Sequence, residues 1–219
     1  MKTPARKIRP TRGRHYRSKI GSSKSLRVIH AESLLERDYV RLCNFDPIVV
    51  KIYYQPVGIR FHYNGRKRRY FPDYLIITRD NRYCLVEVKS KEFVGSNLNR
   101  AKFYAATKFC EEKGWSFIVV TEDQIRLGFL QNNLRLLNEV NRHKVTPAIT
   151  AYIIAMLNHL GPQTISDLRK ACNIVDASLF MLNLHKLIFA SKVITDLVSQ
   201  PLNDNSVICG LPSEEDACG

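Results

Sequence analysis

The sequence predicts an α/β protein in two parts: a mixed sheet with flanking helices, then a small, mainly helical domain. Three observations point there. Strand-like runs alternate with helix-like periodicities between residues 30 and 141, the pattern of a sheet covered by helices. Asn64-Gly65 sits between two strand-like runs and marks a β-hairpin. After residue 147 the pattern turns to three helix-like segments and two short strands. At 219 residues the chain has room for one large domain or two small ones.

The elements follow in order. Residues 1–29 read as a flexible basic arm: the first 27 carry ten Lys and Arg and no acid, and Pro4, Pro10 and Gly13 break any helix. Such a run can lie along phosphates, with Arg12, Arg14 and Arg17 as its centre. From 31 to 44, Leu34, Leu35, Tyr39, Leu42 and Cys43 recur at helical spacing, and the helix stops before Asp46-Pro47. Val49–Tyr54, 58–63, 68–78 and 82–89 read as strands. A helix over 97–113 ends at Gly114, with Leu98, Ala101, Tyr104, Ala105, Lys108 and Phe109 as candidate inner-face or stem contacts. Ser116–Val120 is a continuous apolar run, which reads as a strand buried on both faces. Short helices follow near Glu122–Ile125 and 130–141. These elements give a domain over 30–145.

Residues 141–147 are polar, end in Pro147 and read as a linker. Helices at 148–160, 165–172 and Ala177–Phe189, then strands at 193–197 and 206–211, give the element order of a winged helix over 146–219. Its last helix carries only His185 and Lys186 as basic residues. That is a poor reader of a DNA groove and suits a core or protein-docking helix. His143, His159 and His185 have no other ligand at metal spacing and read as surface or packing residues.

Charge narrows the function. Lys and Arg number 34 against 20 Asp and Glu, a net +14. Residues 1–91 hold 22 basic and 7 acidic residues, whereas the remainder is close to balanced. An excess confined to one part of the chain is the footprint of a polyanion partner, nucleic acid foremost. The longest apolar runs, such as 151–157, are far shorter than the roughly 18 residues of a membrane span. The six cysteines form no CxxC pair, and no apolar stretch follows Met1. Both features lead us to expect a reducing, cytoplasmic location.

The chemistry centres on Phe71-Pro72-Asp73 and Glu87-Val88-Lys89, with the two acids 14 residues apart. Alternation on a strand sends Glu87 and Lys89 to one face. If the two strands are neighbours, two carboxylates and an ammonium converge. Carboxylates so placed are hard-oxygen ligands for Mg²⁺ (or Mn²⁺ in its stead), and such an ion polarises a phosphate and activates water. Glu36, on the first helix, is a further acid, as a metal ligand or through water. Gln55, before Pro56, can reach the site from a strand end. Arg66, Lys67, Arg68 and Arg69, beside the hairpin turn, form a candidate phosphate clamp.

The set Glu36, Phe45-Asp46-Pro47, Gln55-Pro56, Phe71-Pro72-Asp73 and Glu87-Val88-Lys89 resembles the PD-(D/E)xK nuclease superfamily. Within it the chain is most similar to TnsA, the endonuclease subunit of heteromeric transposases. The resemblance covers about residues 30–125. It implies a restriction-endonuclease-like sheet and Mg²⁺-dependent cleavage of DNA at the transposon 5′ ends. It implies Glu36, Asp73, Glu87 and Lys89 as catalytic positions, the three acids being the metal ligands. It also implies a TnsB-like recombinase that cuts the 3′ ends and a TnsC-like ATPase that meets the C-terminal domain. Two other functions fit the same residues: a stand-alone nuclease of resolvase or restriction type, and a DNA-binding scaffold without activity.

Overall fold

A computed structural model of the chain describes residues 4–6, 18–140 and 143–211, which divide into two units, Met1–Arg126 and Leu127–Gly219. The first contains, in order, β1 (Ser18–Ile20), β2 (Ile29–Ala31), α1 (Leu34–Phe45), β3 (Val49–Tyr54), β4 (Ile59–Tyr63), β5 (Arg66–Tyr70), β6 (Tyr74–Thr78), β7 (Tyr83–Val88), α2 (Lys91–Val94), α3 (Asn97–Lys113), β8 (Ser116–Val120) and α4 (Glu122–Ile125). Its main sheet runs β3-β6-β7-β8. The first two pairings are antiparallel and β7–β8 is parallel. The parallel pair needs a crossover, and α2 and α3 supply it.

Both central strands are covered on both faces, which is why β6 is apolar from Tyr74 to Ile77 and β7 from Tyr83 to Val86. On β6, Tyr74 and Ile76 face Tyr39, Val40 and Cys43 of α1. Leu75 between them faces Ala106 and Cys110 of α3 and, from the hairpin, Ile59, Phe61 and Tyr70. A fully buried side chain such as Leu75 contributes about 1.5–3 kcal/mol. The helix ends are set by local chemistry. Ser33 caps α1, its Oγ accepting from Glu36 N at 3.0 Å. Gly114 ends α3 at φ 65°, in the left-handed region, as its position in the sequence predicts. Asp38 of α1 is buried against guanidinium groups of Arg37, Arg41 and Arg126, which ties α1 to the residue after α4.

The expected hairpin is present. Asn64 and Gly65 both have positive φ, 51° and 68°, as a two-residue primed turn demands, and Tyr63 pairs with Arg66. Three expectations need correction. Residues 68–78 are not one strand: the chain leaves β5 at Phe71 and enters β6 at Tyr74, in another sheet, because Pro72 offers no N–H to a ladder. The four basic residues beside the turn therefore lie on strand β5. Ser116–Val120 is an edge strand rather than one buried on both faces, and Ile118 is 41% exposed. The basic arm is not flexible throughout, since Ser18–Ile20 pairs with Ile29–Ala31.

The second unit contains α5 (Leu130–Val140), α6 (Pro147–Leu160), β9 (Gln163–Thr164), α7 (Ile165–Ala171), α8 (Ala177–Phe189), β10 (Val193–Thr195) and β11 (Val207–Gly210). Its sheet is antiparallel, in the order β10-β11-β9. The division at Arg126 precedes the boundary at 145 expected from the polar run. Buried Asn133 of α5 is the reason. Its Nδ2 donates to the carbonyls of Leu197 and Gln200, each at 2.9 Å, and its Oδ1 accepts from Leu202 N at 2.8 Å. His185 is buried on α8, and burial holds its imidazole below the usual range. Among the described residues no helix is long and apolar enough to cross a membrane.

Candidate active site

The register of the main sheet brings the two key acids together. Tyr74 pairs with Val86 at the end of β6. One step further, Asp73 stands opposite Glu87, where cross-strand Cβ atoms lie about 4.5–5.5 Å apart. The main chain fixes Asp73 from two sides. Its carbonyl accepts from Gln55 N at 2.7 Å, and its Oδ2 accepts from Val88 N at 2.9 Å. Glu87 is only 3% exposed. Its Oε2 accepts from the Tyr70 hydroxyl at 2.7 Å, and its Oε1 lies 3.4 Å from Lys89 Nζ. Lys89 extends past β7 and is held there by its own N–H, which donates to Val120 O at 3.0 Å.

Glu36 reaches the same neighbourhood from the start of α1. Its charge is felt at Asp73. Both of its oxygens are already engaged: Oε2 accepts from Glu32 N at 2.8 Å and Oε1 from Ser33 Oγ at 3.1 Å. It thus joins the site while completing the cap of its own helix. Gln55 is buried at φ 40° and orders the backbone of Asp73. Its side chain turns to the arm, where Oε1 accepts from Arg6 Nε at 3.2 Å. Arg66, Lys67, Arg68 and Arg69 are all exposed on β5. Arg69 stacks over Phe71, 4.9 Å from the ring centre, and so abuts the Phe71-Pro72-Asp73 turn. Arg12, Arg14 and Arg17 lie outside the described residues.

Electrostatics mark the pair. Burial, then the charges of Glu87 and Glu36, hold the Asp73 carboxyl well above the usual range. Burial also raises Glu36, against its two hydrogen bonds. Among the described residues, no three His, Cys, Asp or Glu side chains form a group that could hold a metal by themselves. The donor set nonetheless fits Mg²⁺, which binds through one or two carboxylates and keeps several waters. Asp73 Oδ1 takes no hydrogen bond from the described residues, and a hard cation relieves the repulsion between Asp73 and Glu87.

Reading the sequence missed three members of this site. Tyr70 holds Glu87, and its position directly before Phe71 was the available signal. Lys102 of α3 lies with Nζ 5.7 Å from the Tyr70 ring centre and 3.4 Å from Asn99 Oδ1. Burial holds its ammonium below the usual range, while Glu87 and Asp73 pull the other way. Of the contacts expected for α3, Leu98, Ala101, Ala105 and Phe109 do pack against the core, beside buried Ala106 and Cys110, whereas Tyr104 and Lys108 are exposed. Arg6 pairs with Glu32 at 2.6 Å and lies over Phe71, 5.9 Å from the ring centre.

Comparison with known families finds a match, and it covers the strands that bring Asp73, Glu87 and Lys89 together. Residues 46–122 match the model of the TnsA-like endonuclease N-terminal domain. This segment is similar to the N-terminal domain of TnsA-like endonucleases. The match spans the hairpin, Gln55, Asp73, Glu87 and Lys89 and leaves Glu36 outside. A comparison with curated proteins gives no match. The matched segment thus contains the acid pair, its lysine and the basic hairpin in one continuous stretch.

Proposed function

We infer that the chain is a magnesium-dependent DNA endonuclease subunit of a heteromeric transposase, cutting the transposon 5′ ends. The facing of Asp73 and Glu87 beside Lys89, within a segment similar to the N-terminal domain of TnsA-like endonucleases, carries this reading. Asp73 and Glu87 would hold the ion, with Glu36 acting through water or through its charge. When bound, the ion polarises the scissile phosphate and lowers the pKa of water.

The chain's own residues do the rest. Tyr70 and the Val88 N–H fix the orientation of both acids before DNA arrives. The ammonium of Lys89 stands beside Glu87 to offset charge that develops on the phosphate. Lys102 adds a second fixed positive charge on the helix side. The β5 cations grip the backbone, which positions the duplex without reading its sequence. In the second unit, the order α6-β9-α7-α8-β10-β11 supports a winged helix. Helix α8, poor in cations, supports docking to a TnsC-like ATPase rather than to DNA. A TnsB-like recombinase is the expected partner for the other strand.

The test is nicking of supercoiled plasmid in Mn²⁺ by the full chain beside Asp73→Ala. Cutting by the parent protein alone supports the reading. Equal cutting by both places the site elsewhere. A parent protein that stays inactive after a recombinase partner is added, yet binds DNA, is a scaffold. For the hairpin, we expect Arg66, Lys67, Arg68 and Arg69 replaced by Gln to weaken duplex binding. The slope of log K against log salt should fall by about 1 for each phosphate that is no longer neutralised. An unchanged slope makes the four residues bystanders.

A further inference from the structure

Between strand β4 and helix α3 lies an open groove of about 730 Å³. Its hairpin wall carries Arg60 and Arg69, and its helix wall carries Tyr104 and Phe109. We propose that this groove binds single-stranded DNA, taking the unpaired strand that leaves the candidate active site; the route rests on the nuclease reading above.

The hairpin wall is built to meet an anion. Arg60 pairs directly with Arg69 across β4 and β5. Like charges directly opposite one another destabilise a ribbon. Among the described residues, no carboxylate lies within 4.0 Å of Arg60, Lys67 or Arg69. Phosphates passing along this wall supply the missing counter-charge. Arg69 is held in place: its guanidinium lies across Gly58, where a Cβ would collide with it, and over Phe71. It therefore borders both the groove and the Phe71-Pro72-Asp73 turn that leads to the acid pair.

The helix wall selects the unpaired form. Tyr104 is 67% exposed, a large aromatic ring on the outer face of α3. Lys108, next along, is already paired with Glu111 at 2.7 Å, and Glu112 also lines the groove. That wall therefore offers rings more than charge. A base within a duplex has both faces covered by its neighbours. An unpaired base presents a free face to Tyr104 while its phosphate meets Arg60. Cations with interleaved aromatic rings are how proteins hold single strands. The volume falls within the roughly 300–1,000 Å³ of sites that enclose small ligands, which suits splayed nucleotides.

The experiment measures fluorescence anisotropy of labelled oligothymidine and of a hairpin duplex with the full chain in EDTA, so that no cutting intervenes. Tyr104→Ala is expected to weaken oligothymidine binding about tenfold, the usual cost of removing one base stack, and to leave the duplex unchanged. Tyr104→Phe, which keeps the ring, restores the affinity. Arg60→Gln lowers the salt slope for oligothymidine by about 0.7. Circular dichroism confirms that each variant is folded. Unchanged oligothymidine binding by Tyr104→Ala overturns the proposal, as does an equal loss for both forms of DNA. The nuclease reading fails separately. If the parent protein never nicks plasmid but Tyr104 still governs oligothymidine binding, the groove stands as a single-strand site.

Discussion

Asp73→Asn is expected to abolish cleavage and, in the absence of metal, to raise the melting temperature. The two effects share one cause. In the folded chain, burial together with Glu87 and Glu36 pushes the Asp73 carboxyl well above the ordinary value; unfolded, it returns to about 3.9. Between those two values the folded state holds more protons than the unfolded state. Stability contributed by this group is therefore present at low pH and lost as pH rises through the window. Asn carries no charge at any pH, and its carbonyl can still accept from Val88 N. Above the window the variant should melt higher, by roughly 2–4 °C for each kcal/mol relieved in a chain of this size. The gain should shrink as the pH falls toward the unfolded value.

Cleavage moves the other way, with a loss of at least about 10³-fold, since the variant gives up an anionic oxygen worth several kcal/mol to a metal-assisted transition state. Added Mg²⁺ should raise the melting temperature of the parent protein, because it binds the folded form alone, and should do so far less for Asp73→Asn. A variant that cuts like the parent, or melts lower than it without metal, would remove Asp73 from the site. This opposition of stability and function explains why the acid pair needs so many fixed donors around it. Tyr70, the Val88 N–H and Lys89 each offset part of a repulsion that folding creates.

Much of this was legible in the sequence because it rests on local chemistry. Asn64-Gly65 needs no tertiary context to make a primed turn, and Gly114 needs none to end a helix. The spacing of Asp73 and Glu87 suggested neighbouring strands, and the antiparallel register then sets them opposite each other. What escaped depends on contacts between elements. An apolar run such as Ser116–Val120 looks the same whether it is central or at an edge, since only its neighbours decide. On α3, Leu98, Ala101, Ala105 and Phe109 pack inward as their spacing suggests, but Tyr104 and Lys108, at the margin of that face, are exposed, and Lys102 meets Tyr70 only because the hairpin is brought to it. The burial of Asn133 has no local signal, since it depends on the carbonyls of Leu197 and Gln200 being brought to it. Glu36 was expected as an acid of the site, but its engagement by Ser33 and Glu32 follows from the cap geometry, which spacing alone does not give.

Lys89→Met should separate the two jobs that a lysine beside an acid pair can have. If Lys89 serves the transition state, cleavage falls by about 10²–10³-fold, the usual cost of one fixed charge at a reacting phosphate. Metal affinity should not fall with it, because removing a cation 3.4 Å from Glu87 Oε1 leaves the pocket more negative. If Lys89 serves only to balance the buried Glu87, the variant should lose stability, and saturating Mg²⁺ should recover the cleavage rate by supplying the charge. Lys89→Arg distinguishes the two again: a guanidinium balances Glu87 well, yet its planar fork places charge differently on a phosphate. Substitution of Lys102 offers the comparison. Its ammonium rests over Tyr70 rather than within ion-pair distance of an acid, so Lys102→Met should cost less in rate than Lys89→Met at equal metal affinity. A larger loss at Lys102 than at Lys89 would give the helix lysine the leading role and reduce Lys89 to a counter-charge for Glu87.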